Sequence, residues 1–121
     1  MADARSLVES YFRAWQRNDF AAMRSTLDDS LDFTGPIDTF GSADAFLQSI
    51  QGLSQIKDDL VIKKIWADGP DVLVWYDLHT KVAPPAPVAE WHHTGNGKVT
   101  VVRAVFDARP FAAPAAEGAG A

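Results

Sequence analysis

A few residues of this chain have types and spacings that could move a proton. His79 follows Asp77 by two positions in "DVLVWYDLHT", Asp71 to Thr80, a run rich in β-branched and aromatic residues that reads as a strand. Successive strand side chains point to opposite faces. Asp77 and His79 therefore share a face with Leu73 and Trp75, and Val72, Val74, Tyr76 and Leu78 share the other. A carboxylate and an imidazole side by side form a candidate general acid and base pair. The competing reading is a solvated strand end or a buried aspartate satisfied by a neighbouring donor. His92 and His93 are adjacent in "AEWHHTGNGKV", so they face opposite ways and cannot both serve one pocket. Asp77, His79 and His93 could together offer three metal ligands, but no H-x-x-x-H or HExxH spacing occurs, and neither a metal nor a cofactor is expected. "GNGK" lacks the spacing of a phosphate loop and opens a strand, so it reads as a hairpin turn.

The rest of the chain must position these groups. With 121 residues there is room for one core, and a single domain over 1–111 is expected, with the tail 112–121 disordered because nothing large and apolar follows Phe111. A net charge of -5 lacks the basic surface that phosphate backbones require, so nucleic acid is not an expected partner. No cysteine is present, which excludes disulfides, thiolate metal sites and a cysteine nucleophile. No apolar run reaches the roughly 18 residues of a membrane span, and "MADARSLVES" has no signal-peptide core, so a cytoplasmic protein without membrane contact is expected.

Leu7, Val8, Tyr11, Phe12 and Trp15 fall at helical spacings over Ala4 to Asn18, with Asp3 or Ser6 as N-cap. Asn18-Asp19 reads as a break and a second cap before a short helix carrying Phe20, Met23 and Leu27. Leu31 to Thr34 is a brief strand, "GPIDTFGS" a loop, and Ser42 caps a third helix with Phe46, Leu47, Ile50 and Leu53. Leu60 to Ala67, Asp71 to Val82, Val88 to Thr94 and Lys98 to Asp107 read as strands, with tight turns at "ADGPD" and "TGNG" and a loop or sheet edge at "APPAP". Helices first and strands later predict an α+β fold, the helices packed on one face of a curved, mostly antiparallel sheet.

In this order, "YFRAWQRNDFAAM", "GPIDTFGSADAFL" and "GNGKVTVVRAVFD" resemble the SnoaL-like branch of the nuclear transport factor 2-like superfamily, from about Ala4 to Phe111. The resemblance implies a ketosteroid isomerase-like cone with an internal apolar pocket, and it leaves the activity open, because one such scaffold hosts isomerases, cyclases, hydrolases and binding proteins. Tyr11 matches a tyrosine that donates to an oxyanion in ketosteroid isomerases. The carboxylate positions of the known enzymes fall at Thr34 or Gly35, at Ala89 and at Ala104, where no acid stands. The resemblance also implies that the face of Trp75 looks into the cone, which would bring Asp77 and His79 inside. Trp91 and His93 would then line the cavity and His92 would face outward. Tyr11, Trp15, Phe33, Trp75, Trp91, Val102 and Phe106 are the candidate apolar lining, against the alternative that they are ordinary core, and Asp38 lies near the expected mouth.

The function so implied is a SnoaL-like small-molecule enzyme acting on a compact apolar substrate, with Tyr11 donating and Asp77 or His79 moving a proton. The alternatives are a binding protein for a lipophilic molecule and a partner-binding module. Arg103 alternates with Val102 and Ala104 and should face away from the cone between Val101 and Val105, on an outer surface expected to form a homodimer.

Overall fold

The computed structural model describes residues 3–111; the tail expected at 112–121 lies outside them. Each helix begins at a side-chain cap. The Asp3 carboxylate accepts from Ser6 N at 2.7 Å to open α1 (Ala4–Gln16), Asp19 accepts from Ala22 N at 3.1 Å to open α2 (Phe20–Ser25), and Ser42 Oγ accepts from Ala45 N at 3.1 Å to open α3 (Ala43–Ser54). Between the first two, Asn18 takes a left-handed conformation, φ 56°, which ends α1 and turns the chain into the next cap. Among the described residues no helix is long and apolar enough to cross a membrane.

Six strands follow or interleave: β1 (Leu27–Thr34), β2 (Thr39–Phe40), β3 (Lys57–Asp68), β4 (Asp71–Thr80), β5 (Ala86–Gly95) and β6 (Lys98–Phe106). They form one curved sheet in the order β2-β1-β6-β5-β4-β3, antiparallel at every junction except β1 with β6. Two helices pack on its concave face, α1 against β3, β4 and β6 and α3 against β1, β2 and β3, and α2 packs against both of them. This is the expected α+β cone.

Two boundaries differ from the sequence reading. Leu27 does not close the second helix but starts β1 opposite Val99, where it is buried; an apolar residue at i+7 fits a short helix and a following strand equally well. β5 begins at Ala86, so Pro87 lies inside a central strand, paired with Asp77. The β6 register ends at Val88 with Phe106, so no strand lies beside Pro87 on that side to need its missing N–H. The "TGNG" hairpin turns through Asn96 and Gly97, φ 53° and 73°, as a two-residue hairpin loop requires.

The register fixes which residues face the helices. Three inward rows cross the middle of the sheet: Val72, His92 and Val102; Val74, Glu90 and Ala104; Tyr76, Val88 and Phe106. The alternate rows, Leu73 with Trp91 and Arg103, and Trp75 with Ala89 and Val105, face outward. Arg103 thus faces away from the cone, paired with Asp32 at 3.2 Å.

The expected facing of β4 and β5 is therefore reversed. Trp75, Asp77, His79, Trp91 and His93 lie on the outer surface, Trp75 41% exposed where neighbouring Val74 is fully buried. The physical reason is the contrast between the two sets. On β4, Val72, Val74, Tyr76 and Leu78 bury at no polar cost beyond one phenol, whereas the other set would bury Asp77 and His79; on β5 the same facing buries Glu90 and His92, which satisfy each other at 2.8 Å.

Candidate functional site

Between α3, the concave sheet face and the C-terminal turn of α1 lies a cavity of about 500 Å³, within the range that takes up small organic molecules. Trp15, Phe33, Phe40, Phe46, Tyr76 and Phe106 give it an aromatic wall. The exposed residues among its lining, Pro36, Ile37, Asp38, Val82 and Pro110, mark the mouth; Ile37 is 54% and Val82 59% exposed. Phe111, in the 3-10 turn Arg109–Phe111, packs edge-on against Phe106 at 5.9 Å and closes the far side of the opening.

The wall is positioned by local structure. Trp15 stands at the end of α1, where Lys57 Nζ donates to its carbonyl oxygen at 2.7 Å. Burial pulls the Lys57 ammonium below its usual pKa, with the Asp59 carboxylate partly opposing the shift. Gly35 approaches the wall closely: a Cβ there would lie 3.1 Å from the Phe33 ring, which would have to shift by a few tenths of an ångström to admit it.

Buried behind this apolar lining is a polar group that sequence reasoning missed. Glu90, 3% exposed, is part of the cavity wall, and its Oε1 accepts from the Tyr76 hydroxyl at 3.2 Å. Its Oε2 lies 2.8 Å from His92 Nε2, and His92 Nδ1 lies 3.2 Å from the Val72 carbonyl oxygen. A carbonyl oxygen has no proton to give, so Nδ1 carries the hydrogen and donates to it. The Oε2 to Nε2 contact then holds a single proton, either as carboxylic acid with neutral imidazole or as carboxylate with imidazolium. In both forms the pair is electrically neutral, which is how a fully buried histidine and a nearly buried glutamate coexist.

Tyr11, placed by resemblance as a donor, is fully buried beneath this pair. Its ring meets His92 edge-on at 5.2 Å, and its hydroxyl makes no hydrogen bond within the protein. Burial, and secondarily the charge of Glu90, push both Tyr11 and Tyr76 well above the usual phenol pKa. The folded chain then keeps protons that the unfolded chain loses above pH of about 10. This contribution to stability is complete below that pH and is lost above it, at up to about 1.4 kcal/mol per pH unit for each phenol. Tyr11 and Tyr76 are the only tyrosines. Absorbance at 295 nm is therefore expected to stay flat through pH of about 10 and to rise only together with loss of the helical circular dichroism signal. A phenolate band appearing in folded protein would contradict this account.

Of the other sequence candidates, Trp15, Phe33, Asp38 and Phe106 line the cavity, whereas Val102 is buried in the core beside it. Trp75, Asp77, His79, Trp91 and His93 lie across the sheet from it. There Asp77 pairs with Lys63 at 3.4 Å and His93 Nδ1 with Asp71 at 2.7 Å. Among the described residues no three histidine, cysteine or acidic side chains converge as metal ligands. The carboxylate positions implied at Gly35 and Ala104 do face the cavity and carry no acid. Ala89 faces outward, and the inward residue of that strand is its neighbour Glu90. The available signal was the row itself: once Tyr76 is inward, pairing of β4 with β5 brings Glu90 inward too.

The SnoaL-like domain profile matches residues 8–109. Among solved structures, a protein from Kribbella flavida DSM 17836 is 28% identical, with a TM-score of 0.83 over 94% of this chain and 93% of that one. An NTF2-like protein of unknown function from Cytophaga hutchinsonii ATCC 33406 is 22% identical, with a TM-score of 0.83 over 92% of this chain and 96% of that one. An LEH-like epoxide hydrolase from M. tuberculosis, 20% identical, has a TM-score of 0.75 over 98% and 96%. No curated protein matches the chain. The last two structures share the fold alone at that identity; with a matching profile over most of its length, this chain belongs to the SnoaL-like domain family.

Proposed function

We propose that this protein is a small-molecule enzyme of the isomerase, cyclase or hydrolase type, acting on a compact apolar substrate by acid and base chemistry in its cavity. The observation that carries the reading is Glu90, a carboxyl group in the wall of a largely apolar cavity, with its Oε2 2.8 Å from His92 Nε2. Such a pair has a proton to give and a site to receive one. As Glu90 takes a proton from a carbon next to a substrate carbonyl, the proton already in the Oε2 to Nε2 contact passes fully to His92. The imidazolium so formed balances the enolate, and the reverse transfers return a proton to the substrate. Asp77 and His79 have no part in this reading.

Incubation with 2-decalone in D₂O, followed by proton NMR, tests it. Loss of the signals of the hydrogens beside the carbonyl, faster than in buffer, is expected; exchange at the buffer rate from a bound ketone would leave no acid and base function. That result would favour a second reading, a non-catalytic binding protein for a lipophilic small molecule, which gains weight from the absence of an acid at Gly35 and Ala104 in the cavity wall.

The partner on the opposite surface is proposed to be a second copy of this chain. Trp66, Leu73, Trp75 and Val105 are exposed on one sheet face, with half-buried Trp91 between them. Large apolar side chains gathered on one face are costly to leave in water, although Lys64 and Arg103 lie among them. Sedimentation equilibrium at micromolar concentration is expected to give twice the chain mass, and Trp75→Glu a single chain; a wild-type monomer would remove the proposal.

A further inference from the structure

Removing a proton from a carbon beside a carbonyl gathers negative charge on the carbonyl oxygen, and a hydrogen-bond donor aimed at that oxygen is what lowers the barrier. Besides Asp38 and Glu90, the polar side chains of the cavity wall are Trp15, Ser49 and Tyr76. The Trp15 indole nitrogen is buried beneath the cavity surface, where no ligand reaches it. The Tyr76 hydroxyl already donates to Glu90 Oε1 at 3.2 Å. Of the backbone donors in the wall, Gly35 N–H bonds the Asp38 carbonyl oxygen and Phe111 N–H that of Ala108, Pro36 and Pro110 have none, and those of Ile37, Asp38 and Val82 stand at the exposed mouth. Ser49 is the interior donor left.

Its position on α3 suits the part. Phe46, Ser49, Ile50 and Leu53 all line the cavity, at the spacing that turns one face of a helix to one side, and Ser49 interrupts an otherwise apolar row. Serine hydroxyls in helices ordinarily bond a carbonyl three or four residues back. Ser25 Oγ does so with Ala22 at 2.6 Å and Ser54 Oγ with Ile50 at 2.8 Å, whereas the Ser49 hydroxyl makes no hydrogen bond to another described residue. Phe46, one turn before it, stacks on Tyr11 at 6.5 Å, and Tyr11 meets His92 edge-on at 5.2 Å. Ser49 thus lies three residues, about 4.5 Å, further along α3 than the layer packed beneath the Glu90 and His92 pair.

We propose that the Ser49 hydroxyl is a catalytic hydrogen-bond donor: it holds the carbonyl oxygen of the substrate while Glu90 takes the neighbouring proton, and it stabilises the enolate that results. This rests on the reading of Glu90 as the base. As the C–H bond breaks, its electron pair forms the carbon–carbon double bond and the carbonyl pair moves onto the oxygen. Ser49 keeps its hydrogen throughout, and its hydrogen bond strengthens as the charge develops. The donor therefore comes from α3 and not from Tyr11 on α1, whose hydroxyl is fully buried.

The test is Ser49→Ala, with Gln48→Ala on the exposed side of the same helix as control. Alanine is the better helix former, so the variant should fold as the parent does. Exchange of 2-decalone in D₂O is expected to slow about 10–100-fold in Ser49→Ala and to keep the parent rate in Gln48→Ala. A second readout needs no reaction. 2-Adamantanone has only bridgehead hydrogens beside its carbonyl and cannot enolise, and the infrared carbonyl band of the bound ketone reports the hydrogen bond to its oxygen. That band is expected at lower wavenumber in the parent than in Ser49→Ala. Exchange at the parent rate in Ser49→Ala would overturn the proposal and leave Glu90 standing as the base. The same band position in both proteins, or no binding of 2-adamantanone at millimolar concentration, would also overturn it. A band that moves with the substitution in a protein that does not exchange 2-decalone would keep Ser49 as the donor to the oxygen while removing Glu90 as the base.

Discussion

Glu90→Gln is expected to lower the rate of 2-decalone exchange by about 10²–10⁴-fold while leaving the protein folded. The amide keeps the length of the side chain. Its oxygen accepts from Tyr76 as Oε1 does, and its NH₂ donates to His92 Nε2, which is free to accept because Nδ1 holds the ring hydrogen. The hydrogen bonds survive and the titratable proton is gone, so stability should change by no more than about 1 kcal/mol. Glu90→Ala separates the two roles in the opposite direction. It leaves His92 Nε2 and the Tyr76 hydroxyl buried without partners and should cost about 3–5 kcal/mol, the usual penalty for breaking a buried pair from one side. Steady-state rates and urea denaturation on both variants check this. If the glutamine variant kept full activity, Glu90 would be a structural group and the proton would have to come from elsewhere.

An effect on stability as large as that of Glu90→Ala is expected at Phe12. Its ring, 2% exposed, lies edge-on to Tyr11, Tyr76 and His92 at 4.9, 5.1 and 5.5 Å, and 6.1 Å from Trp15. It thereby joins α1 to β4 and β5 directly over the proton-sharing pair. Phe12→Ala removes that contact and leaves a void, at a cost of about 3–5 kcal/mol. For a domain of this size the loss corresponds to a fall in Tm of roughly 10–20 °C. Ile37→Ala, at the exposed mouth, should stay within about 0.5 kcal/mol of the parent. A Phe12→Ala loss below about 1 kcal/mol by thermal and urea unfolding would mean that helix and sheet are held together elsewhere.

Most of the architecture was legible from local rules. Asp3, Asp19 and Ser42 cap their helices, Asn18 breaks the chain between the first two, and "TGNG" makes its hairpin, because each of these signals is short-range and involves backbone chemistry that neighbours do not alter. The cavity side of β4 and β5 was not legible in the same way. Period-two alternation sorts side chains into two sets but does not say which set is inside, and the resemblance tipped the choice toward Trp75 and Trp91. Composition pointed the other way, since only one of the two β4 sets is free of charge. Glu90 was hidden for a further reason. A lone glutamate in a strand ordinarily marks the solvent face, and what reconciles it with burial is His92, two residues on, and Tyr76 on the neighbouring strand. That partnership exists only once the strands are paired.

The opening of the cavity draws on two connections and the 3-10 turn after β6, contributing Ile37, Val82 and Pro110, whereas Tyr76, Glu90 and His92 come from matched rows of two hydrogen-bonded strands. Laboratory evolution of this chain therefore has a ready division of effort. Randomising or lengthening the segments around 36–38, 82–85 and 108–111 would change which molecules are admitted without breaking a rung of the central ladder, so libraries aimed there should retain a high proportion of folded members.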